Sequence, residues 1–282
     1  MIYVNIDPIA FTIGSVSVGW YGIMVMLAVV SIVVWALYGA KKDPRLSYDI
    51  VINAALVGIP SGVIFSRLLH VIDNIVVAKL HPELAASGAV FDYLQHPGQI
   101  IGGSGLSIWG AVLGAALGVW IYNRFSKHSF GHMADMLAPG IILAQAIGRV
   151  GCTILGDDYG FPTSLPWGFV YTSPNSPAIK MNLTPTHPVV VYEIFYALIL
   201  FGVLLLLRKK LRPDGSLFLV YLAFYSVWRI GSDFLREGNP FLFGLHQAQV
   251  IGVIVLLIAI FLLILRTRWV KKGEEVNEQP AD

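Results

Sequence analysis

The chain has 282 residues, 56% of them hydrophobic and only 13% charged, where an ordinary soluble domain carries about 25% charge. A formal net charge of +2 with no basic–aromatic patch excludes a nucleic-acid binder, and a single cysteine, Cys152, excludes an internal disulfide and any cysteine-based zinc pattern. With a mean hydropathy of +0.71, this is the composition of a polytopic membrane protein.

The N-terminal stretch MIYVNIDPIA has neither a positive n-region nor a small-residue cleavage site, so no removable signal peptide is expected. Seven apolar stretches of spanning length follow, at 16–39, 48–72, 106–123, 133–153, 187–207, 217–236 and 246–266. The expected fold is all-α, with about seven transmembrane helices in one membrane domain over 1–272.

In the third stretch Gly110, Gly114 and Gly118 recur every four residues and predict a smooth face for close helix packing. Gly102, Gly103 and Gly105 just before it resemble a dinucleotide loop, but no strand precedes them, which excludes a nucleotide site. The fourth stretch is interrupted by Asp135, Pro139, Gln145 and Arg149, the pattern of a helix facing protein or a water-filled cavity. It ends on Gly148-Arg149-Val150-Gly151 and leads into Gly156-Asp157-Asp158-Tyr159-Gly160. Small glycines let backbone approach a ligand, and Arg149 brings a planar fork of donors that Asp157 and Asp158 can orient. The two aspartates lack the companion ligands of a metal site.

The fifth stretch opens with His187-Pro188, and Pro188 suits a first helical turn. Glu193 lies inside the membrane boundary and is expected to pair with an arginine; His187 is expected as a hydrogen-bond partner, or as a base. The sixth carries Tyr225, Arg229, Asp233 and Arg236 at offsets of four, four and three, one polar stripe on a helix. Asp233 is one turn from Arg229 and can hold it while leaving donors free for phosphate. A purely structural ion pair between helices is the alternative reading.

The long connections at 73–105 and 154–186 are of functional or mobile length, the first with an interfacial helix expected near 82–95. The tail GEEVNEQPAD after Lys272 is expected to be disordered. Thirteen of the 19 basic residues follow the first, third, fifth and seventh stretches. By the positive-inside rule those segments are cytoplasmic, with the N-terminus outside and the C-terminus inside.

Arg67, Arg149, Arg229 and Arg236 thus lie within or at the edge of spans, where insertion scales put the cost of a charge at about 2.5–3.5 kcal/mol. Guanidinium groups at that depth suit an anionic lipid headgroup bound through its phosphate.

Together the segments resemble the prolipoprotein diacylglyceryl transferase family over nearly the whole chain. The resemblance is carried by Trp20-Tyr21-Gly22, Arg67, "GGSGLSIWGAVLGA" at 102–115, "ADMLAPGIILAQAIGRVG" at 134–151, "DDYGFPTSLPWG" at 157–168, "THPVVVYE" at 186–193 and "YSVWRIGSDFLRE" at 225–237. Cys152 and Leu155 stand where the family usually has asparagine, Asp157 supplies the usual acidic residue, and Trp109 replaces a histidine of many members, so no histidine base is assigned there.

The resemblance implies a multi-pass enzyme of the bacterial inner membrane that moves a diacylglyceryl group from phosphatidylglycerol to the lipobox cysteine thiol in a prolipoprotein signal peptide. It implies neither metal nor organic cofactor. Arg149, Arg229, Tyr225 and Asp233 are the expected catalytic residues, and Arg149, Tyr21, Arg67, Asp157, Gly160, Arg236, His187 and Glu193 the expected substrate contacts. A related protein that binds anionic lipid without transferring it, motivated by positions 109, 152 and 155, and a lipid transporter or flippase are the competing readings.

Overall fold

The computed structural model describes residues 1–14, 16–80, 107–126, 128–238 and 244–269. Each of the seven apolar stretches folds as an α-helix: α1 (Trp20–Lys42), α2 (Tyr48–Leu80), α3 (Ile108–Ser126), α4 (Phe130–Leu155), α5 (Val189–Leu207), α6 (Ser216–Ser232) and α7 (Gln247–Arg266). Among the described residues five helices are long and apolar enough to cross a membrane: α1, α2 over Tyr48–Ile72, α4, α5 and α7. The interfacial helix expected near 82–95, Gly102, Gly103 and Gly105, and the tail after Lys272 lie outside the described residues.

Three boundaries differ from expectation by four residues or more. The second helix runs on to Leu80, past the expected end at 72 and into the segment expected as a connection. The first helix begins at Trp20 rather than 16, because Val16–Gly19 is a strand, β3, paired antiparallel with β2 (Ile9–Ile13). The sixth ends at Ser232, and its polar stripe continues as a 3-10 turn over Asp233–Leu235, with Arg236 in extended backbone. A charged stripe on α6 needs protein around it rather than hydrocarbon, so the apolar length of the helix stops short.

The chain divides into two compact units, Met1–Gly39 with the described residues from Gly131 onward, and Ala40–Phe130. The second unit is the α2–α3 pair. A Cβ on Gly114 would come 2.5 Å from the Ser61 carbonyl, and one on Gly118 would sit 2.6 Å from Ser61 Oγ. On α2, Gly62 answers them, its Cβ position 3.0 Å from the Ala111 carbonyl. The glycine stripe is therefore a packing face, as the spacing predicts. Ser66 Oγ ties the pair by donating to the Ser107 carbonyl at 2.8 Å.

In the first unit a short parallel pair joins β1 (Ile2–Val4) to β4 (Phe169–Tyr171). The core is formed by α4, α5 and α6: Ala138, Ile142 and Ala146 meet Ala197, Leu200 and Leu204, and Leu217 and Tyr221 complete it. The spacings of three and four keep these residues on one face of each helix. The faces do not end where the core ends. Arg149 lies three residues beyond Ala146, Glu193 four before Ala197, and Tyr225 and Arg229 four and eight beyond Tyr221. Three apolar faces thus turn polar at the same end of the bundle, which sets Arg149, Glu193, Tyr225 and Arg229 against one another.

At the opposite end α6 has no capping side chain of its own; its N-cap is Gly215 at φ +96. The missing cap comes from α4, where Asp135 accepts from Gly215 N and Phe218 N, both at 2.8 Å. Pro139 does not break α4.

Candidate functional site

Glu193, in the first turns of α5, is the hub of the polar layer, and its side chain is 1% exposed. Arg149 Nε lies 2.9 Å from its Oε1, and Tyr225 OH donates to the same oxygen at 3.0 Å. Its Oε2 is 3.4 Å from Arg236 Nη2 and 3.9 Å from Arg229 Nη1. Three guanidinium groups, one from α4, one from α6 and one from the segment after it, therefore converge on one carboxylate.

Two further acids close the network. Asp158 binds Arg149 Nη1 through Oδ2 at 2.8 Å, and its Oδ1 is paired with Arg236 Nη1. Asp233 Oδ1 lies 3.2 Å from Arg229 Nη2 and 3.4 Å from Arg236 Nε. Three positive and three negative side chains balance. A buried ion network of this kind costs desolvation that only good geometry and hydrogen bonds offset, so it is weak evidence of a stability role. Two donors are left over: Arg236 Nε, which is 3.4 Å from Asp233 Oδ1 but makes no hydrogen bond, and one nitrogen of Arg229. Arg229 Nη1 is buried without a hydrogen-bond partner, since 3.9 Å to Glu193 is beyond hydrogen-bonding range.

Burial pushes the Asp158 carboxyl up, but Arg236 and Arg149 outweigh it and hold the group below the usual carboxylate range. Neighbouring Asp157 is shifted upward instead, first by the protein's exclusion of water and then by the Asp158 charge. Of the two aspartates read as orienting Arg149, Asp158 does so; Asp157 makes no ion pair among the described residues.

The loop carrying these acids is fastened to the helix ends. Tyr171 OH donates to the Thr153 carbonyl at 3.0 Å, and Ser176 Oγ to the Leu155 carbonyl at 2.8 Å, so two carbonyls of the last turn of α4 are satisfied. Gly156 turns the chain out of α4 at φ +72. Gly160 bridges to Arg236 in antiparallel register, and its NH donates to the His187 carbonyl. A Cβ on Gly160 would lie 2.6 Å from the Leu235 carbonyl and 2.7 Å from His187 Cβ. That glycine is what lets the Asp158 loop lie flat against the Arg236 segment.

Around the arginines, Gly151 lets α1 approach: its Cβ would fall 3.0 Å from Tyr21 Cα. Gly148 is different, with nothing within 4 Å of its Cβ position. Cys152 lies 3.7 Å, Sγ to Nη1, from Arg149. His187 packs edge-on to Tyr192, and its Nδ1 is buried without a partner. Arg67 is buried in the second unit, on α2; the side chain of Trp109 is outside the description. Sequence reading missed His246, the N-cap of α7, whose Nδ1 is 3.8 Å from Asp233 Oδ2. Its legible signal was Gln249 three residues on, the second half of a capping box.

The arrangement suits an anion that meets several guanidinium forks in a water-poor setting. With Glu193, Asp158 and Asp233 each matched by guanidinium groups, the network does not suit a cation. A model of the prolipoprotein diacylglyceryl transferase family matches residues 8–265. The phosphatidylglycerol–prolipoprotein diacylglyceryl transferase of Dehalococcoides mccartyi is 43% identical over 276 residues, covering 98% of this chain and 99% of its own. Enzymes of the same name from Clostridioides difficile and Clostridium tetani are 33% and 30% identical, covering 88% and 90% of this chain and 90% and 95% of their own.

Proposed function

Because the chain belongs to the prolipoprotein diacylglyceryl transferase family, we propose that its arginine–carboxylate centre moves a diacylglyceryl group from phosphatidylglycerol to the lipobox cysteine thiol of a prolipoprotein. The thiol sulfur attacks the glycerol carbon that bears the phosphodiester oxygen. A C–S bond forms, the C–O bond breaks with its electron pair going to oxygen, and glycerol phosphate leaves carrying the thiol's proton.

Arg149 and Arg229 grip the phosphate and stabilise the charge that builds on the departing oxygen. Asp233 and Glu193 hold the two guanidinium groups in place from behind. Tyr225, already hydrogen-bonded to Glu193, and Tyr21 serve the headgroup or the leaving group. Arg236, Asp157, Gly160 and His187 are the remaining substrate contacts in this unit. A free cysteine thiol has a pKa near about 8.5, and cationic surroundings lower it without a dedicated base. Cys152 is not the nucleophile, since the substrate brings its own thiol.

The observation that carries this reading is the buried, unpartnered Nη1 of Arg229 at the point where three guanidinium groups meet. We also propose seven spans in the bacterial inner membrane, with the N-terminus outside and the C-terminus cytoplasmic. Support comes from the one-sided basic residues.

The test is purified protein incubated with phosphatidylglycerol and a lipobox peptide. A diacylglyceryl mass gain on the peptide is expected. No gain would favour a lipid-binding relative without transferase chemistry.

A further inference from the structure

Beside the arginine stripe, on the flank formed by Trp228 and Ser232 of α6 and Leu235 of the 3-10 turn after it, a groove of about 240 Å³ opens against Tyr192 and Tyr196 of α5. Each of the three α6-side residues immediately precedes a charged one, Arg229, Asp233 or Arg236. The groove therefore runs alongside the proposed phosphate site. It is smaller than the about 300–1,000 Å³ pocket of a drug-sized ligand, so it takes part of a molecule.

Its walls are apolar except for four side-chain groups, and two of those are occupied. Tyr192 OH accepts from Trp167 Nε1 at 2.8 Å, and Tyr196 OH donates to the Phe224 carbonyl at 2.6 Å while its ring stacks on Trp228 at 4.6 Å. The other two, Trp228 Nε1 and Ser232 Oγ, are buried with no partner, and Ser232 is 5% exposed. A helix serine usually returns its hydroxyl to a carbonyl of the preceding turn, as Ser126 does to Tyr122 and Ser31 to Ala28. Ser232 does not. A buried donor left unpaired is costly, and these two belong to groove-lining residues one turn apart, just behind the groove surface, where a side-chain rotation toward the groove would give each an acceptor.

The missing partner is apolar, offers acceptors and needs no acceptor in return. A peptide backbone brings its own N–H groups and fits poorly; a phosphate suits the arginines next door. An acyl ester fits. We propose that this groove seats the head of an acyl chain of the glycerolipid donor, with the Trp228 indole N–H and the Ser232 hydroxyl donating to its ester carbonyl oxygens. The inference rests on the transferase reading, which puts the phosphate of the same lipid at Arg229, one residue from Trp228. It adds a specificity: the enzyme tells diacyl lipids from dialkyl ones, although the ether change leaves the reacting C–O bond untouched.

Two lipids, diacyl phosphatidylglycerol and its dialkyl ether analogue with matched chains, are compared with the full chain in detergent, by transfer to a lipobox peptide and by equilibrium retention of lipid. Wild type is expected to favour the diacyl lipid by about tenfold or more in both readouts, because a site built to hydrogen-bond discriminates against an analogue lacking the acceptor. Trp228→Phe keeps the stacked ring, Ser232→Ala keeps the backbone, and the double variant is expected to treat the two lipids alike. Equal handling by wild type overturns the proposal, as does discrimination that survives in the double variant. A defect of that variant confined to the KM for the peptide overturns it in favour of a signal-peptide groove. If neither lipid supports transfer, yet retention still favours the diacyl lipid through Trp228 and Ser232, the reaction is wrong and the ester site stands.

Discussion

Arg149 Nε and Glu193 Oε1 are 2.9 Å apart, and this contact fixes the centre, because the same carboxylate is within reach of Arg229 and Arg236. A hub with one negative charge among three positive ones is the least replaceable member. Glu193→Gln keeps the shape and an acceptor for Tyr225 but leaves a buried positive excess. Breaking a buried pair by removing one partner costs about 3–5 kcal/mol. The thermal midpoint is expected to fall and transfer to be lost, and a variant that keeps both would show that Glu193 is not the hub.

Arg149→Lys separates charge from geometry. Arg149 uses Nε toward Glu193 and Nη1 toward Asp158 at once, a fork that a lysine ammonium cannot reproduce. Transfer is expected to drop at least tenfold, about 1.4 kcal/mol of transition-state stabilisation, while membrane insertion is unchanged. Wild-type turnover in this variant would remove Arg149 from the site.

The two glycines flanking the centre are predicted to behave oppositely. Gly160→Ala drives a methyl into the Leu235 carbonyl, so the Asp158 loop must lift from Arg236; both activity and thermal midpoint fall. Gly148 has open space where its Cβ would be, and alanine is better in a helix by about 0.5–1 kcal/mol. Gly148→Ala should therefore match or exceed wild-type stability, and the KM for phosphatidylglycerol is expected to rise, the open space beside Arg149 being the proposed approach of lipid to the backbone. Unchanged KM would make Gly148 a spectator.

How much of this was legible beforehand follows from what each signal depends on. Hydropathy placed all seven helices because it is a local property, and the Gly110–Gly114–Gly118 stripe announced its packing face for the same reason. The convergence on Glu193 was only half visible: the sequence put Arg229 and Asp233 one turn apart, but which arginine Glu193 would meet depends on how three helices pack. The choice of Asp158 over Asp157 turns on the direction of the chain after Gly156 at φ +72, which neighbouring identical side chains cannot reveal. The strand over Val16–Gly19 was hidden because its two valines adjoin the apolar run from Trp20, although Ser17 and Gly19 alternate with them as a strand would.

Asp158 also makes the centre sensitive to acid. Its carboxyl is lowered in the folded protein by Arg236 and Arg149 against the opposing effect of burial, below the ordinary value of about 3.9. A group shifted this way adds stability that is fully present above its unfolded pKa and is lost as pH falls through the folded one. Asp158→Asn is thus expected to be less stable than wild type at pH 7, with the gap closing below about pH 4. Thermal midpoints of the two proteins across that range test it, and a gap that stays constant into acid would mean that the Asp158 charge does not hold the loop.

Asp135 offers the control that separates scaffold from chemistry. Its two oxygens take the Gly215 and Phe218 N–H groups that begin α6, at the end of the helix remote from Arg229. Asp135→Ala strands both donors, at about 1–3 kcal/mol each, whereas Asp135→Asn returns one acceptor. Thermal midpoints should order wild type above Asp135→Asn above Asp135→Ala. Well below those midpoints kcat and KM should stay near wild type, because the arginine stripe keeps its own anchors at Glu193, Asp158 and Asp233. An Asp135→Ala protein with an unchanged midpoint would mean that α6 is held by its apolar face alone; one that melts normally but cannot transfer would mean that Asp135 acts on the centre through α6.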